Sequence, residues 1–149
     1  MTKGEMLDKA LHLATNAHHG QFDKGGKPYI LHPLRVMSFL KTDDEELQCI
    51  ALLHDVVEDT DVTYIELAEA GMSLRVIEGI QALTKTKGYT YHDYKAQVFK
   101  NRDAMQVKMA DLRHNTDIRR LKGVTEKDLA RMAKYHQFYL ELKTALENK

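Results

Sequence analysis

The sequence predicts an all-α protein, with a single helical bundle of about eight helices that spans residues 1–149. Both prolines, Pro28 and Pro33, lie in one early stretch, so the rest of the chain is free to form helices. No segment shows the alternating polarity that is typical of strands. A chain of this length can form one compact domain and bury enough surface to hold a rigid site.

Capping residues and glycines set the limits of the expected helices. Thr2, Thr63 and Thr125 are each followed three positions later by Glu or Asp, which is the spacing of a capping box. Glycines that can end helices or form turns occur at Gly20, Gly71, Gly88 and Gly123. The expected helices, in chain order, lie at residues 4–18, 33–41, 44–58, 63–70, 73–84, 90–100, 102–121 and 126–147.

Individual residues support the predicted first loop and the two predicted helices that follow it. The Gly25-Gly26 pair is expected to form an ordinary turn near the site, because no strand precedes it and no Gly-Lys-Ser/Thr follows it. Pro33 favours the first turn of the second helix, which places His32 at the N-cap. Apolar residues at helical spacing would bury one side of the third helix: Ile50, Leu53, Val56 and Val57.

Composition limits the classes of partner. The chain has 22 Lys and Arg and 22 Asp and Glu, so no net basic charge favours nucleic acid or anionic lipid, and a small-molecule ligand is expected. Cys49 is the only cysteine, which excludes an internal disulfide and a cysteine-rich zinc site. No apolar run is long enough to span a bilayer, and the N-terminus lacks the hydrophobic stretch of a secretory signal. We therefore expect no membrane partner and a cytoplasmic location.

The segment 51–60, Ala-Leu-Leu-His-Asp-Val-Val-Glu-Asp-Thr, is the most informative part of the chain. On a continuous helix His54 and Glu58 lie one turn apart, as do Asp55 and Asp59, so the four polar groups can converge on one pocket. Carboxylates brought toward the interior need a cation or hydrogen-bond partners, because burying unpaired charge is costly. The pattern indicates a site for metal binding and catalysis.

The alternative is that an acidic helix end is simply solvated. A second doublet, His92-Asp93, shows that a His-Asp pair alone is weak evidence. It has no acidic residue one turn downstream and no apolar run before it, so we do not expect it to bind a metal. The metal-site hypothesis therefore depends on distant partners.

Two distant residues can complete a site with His54 and Asp55. His32 can direct its ring away from its own helix. Asp111 lies in a segment that indicates a largely buried helix, on which Asn115, one turn on, shares its face. These two imidazoles and two carboxylates would suit manganese, iron or zinc and leave positions for water and substrate oxygens. Spacing alone leaves open whether the three segments meet.

Ordered motifs along the chain resemble those of the HD-domain phosphohydrolases. The motifs are His32-Pro33, His54-Asp55-x-x-Glu58-Asp59 and Lys108-x-Ala110-Asp111-x-x-x-Asn115. The chain is still more similar to the ppGpp hydrolase domain of the RelA/SpoT enzymes and their small stand-alone relatives. That closer resemblance rests on Ala17-His18-x-Gly20-Gln21, Pro28-Tyr29-Ile30-x-His32-Pro33-Leu34 and the whole of residues 51–60.

The resemblance implies an all-α HD fold and removal of pyrophosphate from the 3′ position of ppGpp or pppGpp. It also implies a divalent metal, manganese in this branch, held by His32, His54, Asp55 and Asp111. By the same resemblance Glu58 and Asp59 are the catalytic acidic pair, Asn115 lines the nucleotide site, and Lys24 faces the phosphates.

Two positions depart from the pattern of the larger enzymes. Asp23-Lys24 stands where they have Arg-Lys, and Asn115-Thr116-Asp117 stands where they have Asn-Met-Arg. An acid in place of arginine removes a planar cation that can stack on guanine and adds repulsion toward phosphate. The metal chemistry does not depend on either position.

The expected mechanism is metal-assisted hydrolysis, in which the cation lowers the pKa of a water and polarises a phosphoryl oxygen. Glu58 would orient or deprotonate the water, and Asp59 would assist proton transfer or hold Glu58. Cations that could neutralise a phosphate tail are Lys24, Lys27, Lys108 and Arg113.

Two alternatives stay open beside the ppGpp assignment. One is an HD phosphohydrolase that acts on another nucleotide, such as a nucleoside monophosphate or a phosphorylated dinucleotide. The other is a non-catalytic module that only senses a nucleotide, although buried charges without a task reduce stability. The last helix is either core or the face of a possible homodimer.

Overall fold

The computed structural model describes residues 1–148, so Lys149, at the end of the predicted domain, lies outside the described residues. The prediction of an all-α bundle is confirmed, and within residues 1–148 the only extended pairing is an isolated bridge between Phe22 and Pro28. The helices are α1 (Glu5–Ala17), α2 (Leu31–Leu40), α3 (Glu45–Leu53), α4 (Val56–Asp59), α5 (Tyr64–Glu69), α6 (Leu74–Leu83), α7 (Tyr91–Phe99), α8 (Arg102–Asn115) and α9 (Glu126–Glu147). A 3₁₀ turn, Ile118–Arg120, lies between α8 and α9.

Two of the three predicted capping boxes are present. Thr63 and Thr125 form capping boxes at the starts of α5 and α9, as predicted. The start at Thr2 is wrong, because Gly4, with a φ of 91°, is the N-cap of α1. The doublet His92-Asp93 has a structural role, since Asp93 completes a capping box with Thr90 at the start of α7.

Two of the predicted helices differ from the structure in ways that affect the site. The third helix ends at Leu53, and the short α4 begins only at Val56. His54 contributes to this break, because its Nδ1 lies 2.6 Å from the Ala51 carbonyl oxygen that would otherwise accept the next helical amide. The helix predicted to reach residue 121 ends at Asn115.

The core is centred on α3, whose residues 49–53 are completely buried. This helix packs against α1, α2, α6 and α8, and α9 covers the far side of α8. A helix that is apolar on all sides belongs in the interior. Its C-terminal end therefore carries His54 into the middle of the bundle. None of the helices in residues 1–148 is both long and apolar enough to cross a membrane.

Candidate metal centre and adjoining pocket

The structure brings together the four residues predicted to bind a metal. His32 lies in the first turn of α2 rather than at its N-cap, Asp111 lies on α8, and His54 and Asp55 form the break between α3 and α4. One ligand atom from each of the four lies within 4.8 Å of those from the others. The exposed fractions of His32, His54 and Asp111 are only 2%, 3% and 4%. The break in the helix, rather than a continuous helical face, directs His54 and Asp55 to one point.

The distances within this cluster fit a divalent cation. Asp111 Oδ1 lies 2.8 Å from His32 Nε2 and 3.2 Å from His54 Nε2. Asp55 Oδ2 lies 3.2 Å from His54 Nε2 and 3.8 Å from His32 Nε2. Ligands about 2.1 Å from one metal ion are roughly 3.0 Å apart in octahedral and roughly 3.4 Å apart in tetrahedral geometry. The donor set and its spacing are therefore suitable for a divalent metal.

Hydrogen bonds orient both imidazoles so that Nε2 faces the carboxylates. Nδ1 of His54 donates to the Ala51 carbonyl oxygen at 2.6 Å, which leaves Nε2 as the ligand atom. Nδ1 of His32 lies 2.7 Å from Nδ1 of His114, and the two rings stack with centroids 5.0 Å apart. Sequence reasoning left His114 outside the site, because nothing local indicates that its ring meets a residue 82 positions away.

The two carboxylates are also held from outside the cluster. The Tyr29 hydroxyl donates to Asp55 Oδ2 at 2.6 Å, and Asn115 Nδ2 donates to Asp111 Oδ1 at 3.1 Å. Lys108 was a candidate for contact with a phosphate tail, but its Nζ lies 3.0 Å from Asp111 Oδ2 and its side chain is only 15% exposed. Lys108 thus neutralises a buried carboxylate. Tyr29 is part of the motif at residues 28–34 that carries the family resemblance, but no role was predicted for it.

Electrostatics keep both carboxylates ionised. Burial opposes the charge of Asp55, but the neighbouring His54 outweighs it and lowers the pKa of Asp55 to about 2. Burial likewise opposes the charge of Asp111, while Lys108 and the two imidazoles lower its pKa well below the usual value. The pKa of His54 is raised despite burial, because Asp55 and Asp111 favour its protonated form. A bound cation would take the place of that proton.

The predicted catalytic pair lies on α4, outside the contacts of this cluster. Glu58 is exposed, and its Oε1 accepts a hydrogen bond from the Lys85 amide at 2.8 Å. Asp59 is exposed, yet partial burial of its carboxyl group and the charges of Asp55 and Glu58 raise its pKa to about 6. The expected one-turn spacing of Glu58 from His54 on a continuous helix is wrong, because the helix breaks between them.

A cavity of about 320 Å³ adjoins the cluster. Tyr29 and Asn115, which hold the two carboxylates, form part of its wall, as do the predicted Lys24 and the aromatic ring of Tyr135. The amide group of Asn115 is fixed at both ends, because its Oδ1 accepts a hydrogen bond from Arg120 at 3.1 Å. Asn115 therefore links the cluster to the wall of the pocket.

Asp23, the acid that departs from the family pattern, is paired with a cation. Its Oδ2 lies 3.3 Å from Nη2 of Arg120. Burial opposes the charge of Asp23, but hydrogen bonds from the Lys27 amide and Arg120 outweigh it and lower its pKa. A Cβ at Gly25 would collide with the Arg120 carbonyl oxygen, so the loop packs tightly against this segment. The expected repulsion toward phosphate is thus offset, and Arg120 supplies a guanidinium to the pocket.

The fold and the cluster define a class of all-α proteins with a histidine and aspartate centre suited to a divalent cation. A family model described as the HD domain matches residues 10–122. The chain belongs to the HD domain family.

Similar proteins include ppGpp-metabolising enzymes. The chain is 37% identical to a guanosine-3′,5′-bis(diphosphate) 3′-pyrophosphohydrolase of Haemophilus influenzae over 115 residues, which are 69% of this chain and 17% of that protein. It is 36% identical to the bifunctional (p)ppGpp synthase/hydrolase SpoT of Escherichia coli over 122 residues, 73% of this chain and 17% of SpoT. The chain thus spans less than a fifth of the length of these relatives.

A solved structure has the same fold. It is described as a metazoan orthologue of SpoT that hydrolyses ppGpp and plays a role in starvation responses. The TM-score is 0.76, at 22% identity, and the match covers 99% of this chain and 94% of that one.

Proposed function

We propose that the protein hydrolyses ppGpp and pppGpp at the 3′ position and releases pyrophosphate. The observation that carries the proposal is the grouping of His32, His54, Asp55 and Asp111 beside a pocket that Lys24, Arg120 and Arg131 line. The names of the relatives add support, since two of them are designated as enzymes of ppGpp hydrolysis.

His32, His54, Asp55 and Asp111 would hold the metal, for which we propose Mn²⁺. When bound, a divalent cation lowers the pKa of a water and polarises a phosphoryl oxygen. The carboxylates of Asp55 and Asp111 offset its charge, and Tyr29 holds Asp55 in place.

Glu58 and Asp59 are the proposed groups for moving the proton of the attacking water. Asp59 suits this role because its pKa of about 6 lies close to neutral pH, where a group can both accept and release a proton. Glu58 accepts the Lys85 amide through one oxygen, which leaves its other oxygen available to orient a water. Replacing Glu58 or Asp59 would test the role proposed for that carboxylate.

The pocket supplies groups for a nucleotide with a phosphate tail. Lys24 lines it as a candidate partner for phosphate, and Arg120 and Arg131 add guanidinium groups that Asp23 and Asp128 hold in place. The ring of Tyr135 offers a flat surface on which a base can stack. Because the Asp23–Arg120 pair stands where the larger enzymes have arginine, a phosphohydrolase for a different nucleotide is the second candidate.

Location and assembly are inferred from Cys49 and from the surface of α9. A cytoplasmic location agrees with the single, fully buried Cys49, because an oxidising compartment would favour disulfides. A homodimer through α9 is supported by Leu129 and Leu140, which are 53% and 42% exposed on that helix.

The test is a hydrolysis assay on metal-loaded protein with ppGpp beside a panel of other nucleotides. We expect pyrophosphate release from ppGpp with Mn²⁺, and its loss in Asp55→Asn together with loss of bound metal. Asp43→Asn, an exposed carboxylate without an ion pair among residues 1–148, serves as the matched control. Turnover of another nucleotide but not ppGpp would assign the second candidate. A variant at Asp55 that folds and hydrolyses like the parent would exclude catalysis at this cluster.

A further inference from the structure

A second and larger cavity lies on the opposite side of His32 from the metal cluster. It has a volume of about 1030 Å³ and is lined by the outer side of α2 and by the C-terminal end of α8 with the turn that follows. His32 directs Nε2 toward Asp111 and Nδ1 toward His114, and both rings line this cavity. The cavity therefore reaches the back of a predicted metal ligand without passing through the cluster.

Cationic side chains dominate the walls of this cavity. Six line it, against two acidic side chains, Asp23 and Asp117. The six are Lys27, Arg35, Arg113, Arg119, Arg120 and Lys122. The chain as a whole has a net charge of 0, so a local surplus of four positive charges is concentrated in one concavity.

The two acids are already used within the protein. Asp23 pairs with Arg120 and Asp117 pairs with Arg119, at 3.3 and 2.9 Å. The other four cations, Lys27, Arg35, Arg113 and Lys122, have no carboxylate partner within residues 1–148. The Arg113 guanidinium lies 4.0 Å from the centroid of the Phe39 ring, which holds it in place without neutralising it. Four unpaired cations around one cavity repel one another, and a multivalent anion between them would remove that repulsion.

We propose that this cavity binds a small phosphorylated anion at a site that adjoins the catalytic pocket and shares with it the wall formed by Asp23, Gly25, Asp117, Arg120 and Leu121. Guanidinium groups at Arg35 and Arg113 present paired donors that match phosphate oxygens, and the flexible ammonium of Lys27 adds a further charge. The concave shape and the volume are suited to a molecule of nucleotide size. The site can be tested apart from the hydrolysis proposed above through Lys27 and Arg35, which line this cavity and not the catalytic pocket.

An anion bound in this cavity would lie next to His114, the residue that orients the predicted metal ligand His32. When His32 Nε2 acts as a metal ligand, its Nδ1 carries the proton and donates to His114 Nδ1. His114 then carries its own proton on Nε2, and within residues 1–148 that atom donates to no protein group. An anion in the cavity that accepts this proton would touch the ring that orients His32.

The test is a calorimetric titration of inorganic tripolyphosphate into chelator-treated protein at low salt, so that no metal competes for the probe. We expect saturable binding to one site, weakened at least about tenfold in the double variant Lys27→Gln/Arg35→Gln. Both side chains are exposed, so the fold should persist, and a thermal melt checks this. The matched control is Lys9→Gln/Lys143→Gln, two exposed lysines away from both cavities, which should bind like the parent.

Three results would overturn the proposal. The first is no saturable binding to the parent, and the second is equal binding by the parent and Lys27→Gln/Arg35→Gln. The third is weakening only by Lys24→Gln, which would place the probe in the catalytic pocket. A short single-stranded RNA that binds more tightly than tripolyphosphate and is lost in the same double variant would assign the surface to nucleic acid instead.

Discussion

Replacing Tyr29 with phenylalanine tests whether the hydroxyl group of Tyr29 orients a metal ligand. The Tyr29 hydroxyl donates to Asp55 Oδ2 at 2.6 Å, a short bond to a carboxylate whose side chain is only 18% exposed. A hydrogen bond to a charged group is worth about 1.5–3 kcal/mol, and loss of such an outer partner typically weakens metal binding about 10–100-fold. We therefore expect the dissociation constant for Mn²⁺ to rise by roughly that factor in Tyr29→Phe.

The assay is competition for Mn²⁺ against a fluorescent chelator, with a parallel thermal melt to confirm folding. Tyr89→Phe is the matched control, because Tyr89 is 41% exposed and lies outside the cluster. Loss of this hydrogen bond also raises the pKa of Asp55, and a more basic carboxylate would by itself bind a cation more tightly. Unchanged or tighter Mn²⁺ binding by Tyr29→Phe would therefore refute the orienting role and leave basicity as the controlling factor.

Three further predictions concern stability. Lys108→Met should lower the free energy of unfolding of metal-free protein by about 3 kcal/mol in urea, because Asp111 loses its buried cation; an unchanged value would contradict the ion pair at 3.0 Å. Gly25→Ala should cost about 1–3 kcal/mol, since the new Cβ meets the Arg120 carbonyl oxygen; a variant as stable as the parent would show that the loop can move freely. Asp59→Asn should raise the melting temperature of metal-free protein at pH 7.5, because a pKa raised to about 6 means that folding disfavours the ionised form. That gain should disappear near pH 4, where folded Asp59 is already protonated, and a gain independent of pH would refute the electrostatic cause.

Much of the helical order could be predicted because its causes are local. Thr63 and Thr125 cap helices through residues three positions away, and these pairs are visible in the sequence. The break after Leu53 could not be predicted, because the apolar residues keep their helical spacing across it. At the break, the His54 ring donates a hydrogen bond to the Ala51 carbonyl oxygen in place of a helical amide. Helical periodicity carries no information about that competition.

The candidate site, like the helices, could be predicted only in part. The four residues named as ligands lie together, as the ordered motifs indicated, although their role as ligands stays a prediction. The supporting contacts of Tyr29, Lys108 and His114 were missed or assigned to another task. Two of these contacts join residues 26 and 82 positions apart, and such encounters depend on how whole helices pack.

The pairing of Asp23 with Arg120 implies a constraint on how this chain can evolve. The two residues are 97 positions apart, and each neutralises the other at the wall of the catalytic pocket. A substitution at one position alone would leave an uncompensated charge beside the proposed substrate. We therefore expect substitutions at the two positions to occur together. Among relatives with an acid at the position of Asp23, we expect a base at the position of Arg120, and relatives with arginine at the first position should lack that base at the second.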